Sequence, residues 1–161
     1  PKMKSFVELA GTIEAGGFSN VLHLIDTGWR GVRLTSRAGS DPTKFIHREV
    51  LHPHNAAQTL LKHAVSKEVD LMVVDLDSND AHVLQALLKA GWRPRVIVAE
   101  ANSNFGEEST LSFPPIYNYL TYSWSGCGQI CYFKDEHMQK RMVMCGVSLR
   151  GLARVADQGG Y

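Results

Sequence analysis

Asp75, Asp77, Asn79 and Asp80 crowd three carboxylates and an amide into six residues, directly behind the apolar run Leu71-Met72-Val73-Val74. Oxygen donors so closely spaced can bind a cation, polarise a ligand amine, or cap the next helix and sit on its positive end. Asn79 and Asp80 read as solvated caps. Asp75 follows a run that reads as buried, so it and Asp77 are the candidate catalytic carboxylates. A second group is Glu8 with Gly11, Gly16 and Gly17. A glycine turn entering a helix lets a ligand approach the backbone, and the helix start offers unpaired N–H groups. These four are the candidate cofactor-binding residues. Glu100, ending the apolar run Val96-Ile97-Val98-Ala99, is a third feature of the same kind.

Sharper chemistries fit these residues poorly. As a calcium loop the acidic run starts well with Asp75, Asp77 and Asn79, but Asp80 stands at the turn-glycine position and Ala86 at the bidentate one. As the start of a haloacid-dehalogenase-like phosphatase, Asp75-Leu76-Asp77 is followed by Ser78-Asn79 where that family has glycine-threonine. Cys127, Cys131, His137 and Cys145 share only one interval usable for zinc, so no metal is expected. His52-Pro53-His54 reads as a solvated turn. The aromatic residues Tyr117, Tyr119, Tyr122, Trp124 and Tyr132 read as cover over a sheet edge.

The elements that must position these residues alternate. Ser5 to Leu9 reads as a strand running into the turn Gly11 to Gly17, then a helix capped by Ser19 or Asn20 carries Val21, Leu22, Leu24 and Ile25 to Gly28. Gly31 to Thr35 is a strand, with another at Phe45 to Val50. Asn55 caps a helix with Ala57, Leu60, Leu61, Ala64 and Val65 on one face. Leu71 to Val74 reads as a central strand, then Asn79 or Asp80 opens a helix bearing Val83, Leu84, Leu87 and Leu88 and closed by Gly91. Val96 to Ala99 is another apolar strand, ending in the carboxylate of Glu100. A last helix runs from Val147 to Ala156. Strands alternating with helices imply a doubly wound, mainly parallel α/β sheet, with ligands beyond the carboxyl ends of its strands. One domain over residues 1–161 is expected, with an irregular aromatic and cysteine-bearing segment at about 101–145.

Composition narrows the class. Lys plus Arg number 17 against 16 acidic residues, a net charge of +1, which recommends no polyanion partner such as nucleic acid. No apolar run approaches the roughly 20 residues of a membrane helix. The 3 cysteines suit reduced thiols and an intracellular location. The start at Pro1 points to a processed or incompletely represented N-terminus.

Three stretches together resemble the FkbM-like methyltransferases. The first is Val7-Glu8-Leu9-Ala10-Gly11 with Gly17-Phe18-Ser19-Asn20 and Gly28-Trp29-Arg30-Gly31-Val32. The second, the most specific, is Val69 to Asp80 followed by Pro94-Arg95-Val96-Ile97-Val98-Ala99-Glu100-Ala101-Asn102. The third is Cys145-Gly146-Val147-Ser148-Leu149 leading to Gly159-Gly160-Tyr161. The resemblance implies a Rossmann-like sheet of the class I methyltransferase type, here lacking its terminal strands. It also implies S-adenosylmethionine as cofactor, with Glu8 and the glycines under its methionine portion and Asp75 or Asp77 facing the reacting centre.

The chain departs from that pattern at the cofactor. Ile13 and Glu14 occupy the glycine turn where small residues would admit the ligand. The second strand ends Leu34-Thr35-Ser36-Arg37, where an acid would take the ribose hydroxyls. Each charge-assisted bond missing there is worth about 1.5–3 kcal/mol. The expectation is therefore a methyltransferase-like domain with an eroded cofactor site, serving as a non-catalytic accessory or scaffold subunit among other protein subunits. The alternative is an active S-adenosylmethionine-dependent methyltransferase acting on an oxygen or nitrogen nucleophile.

Overall fold

A computed structural model describes residues 4–10, 19–36, 41–76, 79–112 and 146–161, together with the backbone of 132–134 and 141–143. Five strands form one sheet: β1 (Ser5–Ala10), β2 (Arg30–Thr35), β3 (Ile46–Arg48), β4 (Leu71–Asp75) and β5 (Val96–Ala99). The order is β3-β2-β1-β4-β5 and every pairing is parallel, the Rossmann-like α/β arrangement expected from strand–helix alternation. Strand order reverses between β1 and β4, so their carboxyl ends flank the crevice in which such sheets bind ligands. Two further short strands, β6 (Tyr132–Lys134) and β7 (Arg141–Val143), pair antiparallel as a separate ribbon inside the stretch that reads as irregular. Three-residue strands leave no period to detect.

The helices are α1 (Leu22–Asp26), α2 (Ala56–Lys62), α3 (Asp80–Lys89) and α4 (Leu149–Gly159). Among the described residues none is long and apolar enough to cross a membrane. Alternation along the strands sorts side chains onto two faces. Val7, Leu9, Met72 and Val74 enter the larger core with Leu60, Leu84, Leu87 and Leu152 from the helices and Trp92 just after α3. On the opposite face Phe6 and Val73 pack with Val21, backed by Leu24, Ile25 and Trp29 beside α1. Gly31 lies so close to Phe6 that an added Cβ would meet its carbonyl oxygen and ring, which explains a glycine inside β2.

β5 packs on the core through one face. It is a sheet edge, and although Ile97 and Ala99 pack against the larger core, Val96 and Val98 are 53% and 44% exposed on the other face. The five-residue α1 lies beside β1 and leaves that edge uncovered. A continuous apolar run does not distinguish an edge from a centre.

The end of α2 is revised. The helix stops at Lys62, and Ala64 turns into left-handed backbone at φ 55, with Val65 N–H donating to the Leu60 carbonyl and Ala64 N–H to that of Leu61. This is a Schellman termination. The other three α-helices close the same way on Gly28, Gly91 and Gly160, so among these four only α2 ends on a left-handed residue with a Cβ; Phe45, after the 3-10 turn Pro42–Lys44, shares that conformation at φ 61.

Candidate functional site

The carboxyl edge begins with Glu8 and Asp75. In register, Thr35 on β2, Ala10 on β1 and Asp75 on β4 form a row across the sheet, and Glu8 stands two residues before Ala10. Glu8 and Asp75 therefore share the α1 face, about 7 Å apart along the strand direction. Gly11, Gly16, Gly17 and Asp77 lie outside the described residues, as do Ile13, Glu14, Arg37 and the zinc-type group Cys127, Cys131, His137 and Cys145. Among the described residues no three His, Cys, Asp or Glu side chains are grouped to hold a metal ion.

Glu8 is buried and its oxygens are engaged. Arg33 Nε donates to Glu8 Oε2 at 2.9 Å, with both side chains 2% exposed. The Ser19 hydroxyl lies 2.9 Å from each carboxylate oxygen, and the Asn20 backbone N–H donates to Oε1 at 2.9 Å. Ser19 and Asn20 thus do not cap α1 as their types suggest. Val21 is the N-cap residue, and Glu8 fastens Ser19 and Asn20, just ahead of α1, to β1 while placing negative charge near the helix start. Two opposite charges in register on neighbouring strands, Glu8 and Arg33, are the signal that could have revealed the pair.

At the end of β2, Thr35 is buried, Ser36 follows, and neither carries a carboxylate. The acids gather instead toward β4 and β5. Asp75 ends β4, Glu100 follows β5, and Asp80 opens α3. Asp80 is not the solvated cap its position suggests, because its exposure is 0%. Leu76 N–H donates to Asp80 Oδ1 at 2.7 Å, whereas Oδ2 has no hydrogen-bond partner among the described residues. Burial pushes this carboxyl from 3.8 up to about 7; the Leu76 and Asp80 N–H groups pull it back, and Glu100 and Asp75 raise it further. Such a group holds or releases a proton near neutrality, which an exposed carboxylate does not.

Comparison with protein-family models, with curated proteins and with solved structures found no match. Fold and edge together define a Rossmann-like α/β domain. Its reversal point is bordered by an internally paired glutamate on one side and by carboxylates on the other.

Proposed function

We propose that this chain is an S-adenosylmethionine methyltransferase-like domain that serves as a non-catalytic accessory or scaffold subunit inside the cell. The observation that carries the reading is the engagement of Glu8 with buried Arg33. A carboxylate already bonded to a guanidinium, a hydroxyl and a backbone amide has little capacity left for a ligand. The carboxylate-free end of β2 supports the same reading, since ribose hydroxyls would find no acid there. The exposed Val96 and Val98 on edge strand β5 offer apolar surface to another protein subunit. The balanced charge gives no reason to invoke nucleic acid.

One observation favours a second reading, an active methyltransferase acting on an oxygen or nitrogen nucleophile. Asp75, Asp80 and Glu100 bring acids to the edge where an acceptor would be oriented. Calorimetric titration with S-adenosylmethionine and S-adenosylhomocysteine separates the two. The scaffold reading expects no binding heat up to millimolar ligand from the folded domain. Micromolar binding weakened by Asp75→Ala would overturn it and establish a working cofactor site.

A further inference from the structure

Four ionisable side chains meet where the edge strand β3 passes the carboxyl end of α2. The rings of His47, on β3, and His63, after α2, lie 4.5 Å apart at a 44° tilt. Glu49, just beyond β3, holds the other two: Lys62 Nζ lies 2.6 Å and His63 Nε2 2.7 Å from the same Oε1. A carboxylate only accepts, so His63 Nε2 carries the hydrogen of that bond. The histidine and glutamate side chains are partly withdrawn from water, with His63 13% and Glu49 18% exposed.

We propose that His47, His63, Glu49 and Lys62 form an acid-sensitive latch that fastens edge strand β3 to α2 and opens when His47 takes up a proton. The charge count gives the mechanism. Glu49 is the one carboxylate of the group, and its Oε1 already meets both the Lys62 ammonium and the His63 N–H. A proton on His47 adds a cation within a ring's contact of His63 and near Lys62, with no second carboxylate among the described residues to meet it. On β2 the residue in register with His47 is Leu34, which supplies no countercharge. His52 and His54, in the turn before α2, stack on each other at 5.3 Å.

His47 is biased toward its neutral form first by burial, then by His63, with Glu49 opposing and Lys62 reinforcing, so its pKa lies below the ordinary histidine value. Burial raises Glu49, but the hydrogen bonds from Lys62 and His63 outweigh it and keep that carboxyl below its ordinary range. Those hydrogen bonds favour the ionised form of Glu49. The strand being released is short, docked to β2 through Arg33 N–H to the Phe45 carbonyl and Glu49 N–H to that of Thr35.

The test is amide exchange at His47 and Glu49, whose N–H groups lie on the β2 side of this strand, in the intact chain, expressed as protection factors at pH 7.5 and 5.5. Opening of β3 should rise on acidification while β1 and β4 keep their protection. At pH 5.5, one unit below 6.5, the increase in that opening is bounded at about tenfold however far the folded His47 lies below 6.5. In His47→Gln the acid-induced loss should disappear. Imidazole NMR titration of the unmodified chain provides a reading that does not depend on the variant folding. One ring should titrate below 6.5, and its titration should perturb His63. Protection of β3 unchanged between the two pH values, an equal acid loss in a folded His47→Gln, or a His47 ring titrating at or above 6.5 would each overturn the latch.

Discussion

Replacing Asp80 by asparagine should change the pH dependence of stability more than stability at any single pH. The folded carboxyl titrates at about 7 against 3.8 when exposed, mainly because burial penalises its charged form. The folded chain thus keeps a proton that the unfolded chain has released throughout that interval. Stability falls with rising pH wherever the folded state binds more protons, so the contribution is complete below 3.8 and lost as pH climbs through about 7. The two values differ by about three pH units; at about 1.4 kcal/mol per unit, the whole effect is about 4 kcal/mol, of which about 3 kcal/mol falls between pH 5 and 8.

Asp80→Asn removes the titration while retaining an oxygen for the Leu76 N–H. Its amide supplies a donor where Oδ2 had no partner among the described residues, close to the negative charge of Asp75 and Glu100. Urea unfolding followed by the fluorescence of buried Trp92 gives ΔG for both proteins at steps from pH 5 to 8. The variant-minus-wild-type difference should rise by about 3 kcal/mol toward pH 8. A difference constant across that range would show that Asp80 is ionised throughout, and the reasoning from its burial would fail.

Two other substitutions test the frame around the site. Glu8→Ala leaves the Arg33 guanidinium buried without its countercharge and should cost about 3–5 kcal/mol in denaturant unfolding, whereas Glu8→Leu with Arg33→Met should recover most of that loss. A single variant within about 1 kcal/mol of wild type would mean that the pair is solvated. Ala64→Gly should stabilise the chain by about 1 kcal/mol, because left-handed backbone strains a residue with a Cβ and Gly closes the other three helices; an unchanged melting temperature would contradict the conformation assigned to Ala64.

What the sequence could reveal was set by how local each feature is. β1 and β4 are legible because their apolar runs are bounded by turn residues, and α3 because its apolar spacing is followed by Gly91. Sheet class then followed from the alternation of elements. The end of α2 was not legible, since an alanine carries no sign that the chain turns left-handed there. Edge and centre could not be separated for β5, whose Val96 and Val98 look as buried in sequence as Val73 and Val74. Of the candidate site residues, Asp75 stands at the carboxyl edge and Glu8 below it in a buried ion pair. The pairing depends on register across two strands, which no single window of sequence contains. Asp80 looked like an ordinary cap because its burial arises from tertiary packing around the start of α3.

The two proton-linked groups act in opposite directions, and that decides how their experiments must be read. Asp80 favours the folded state as pH falls through about 7, because its folded pKa is raised. His47 does the reverse. Its folded pKa is lowered, so its contribution is intact above 6.5 and is lost as pH drops below that value. Below 6.5, inside the interval from 3.8 to about 7 over which Asp80 acts, the two slopes partly cancel, and a flat wild-type profile would follow from two active groups as readily as from none. Each variant removes one side of the cancellation. Asp80→Asn should expose the acid-labile branch that belongs to His47, and His47→Gln should expose a loss of stability with rising pH that belongs to Asp80. The groups sit on different elements, with β2 and β1 between β3 and β4, so their effects should add in the double variant. A double variant that kept a steep slope across this interval would assign the proton linkage to a third group.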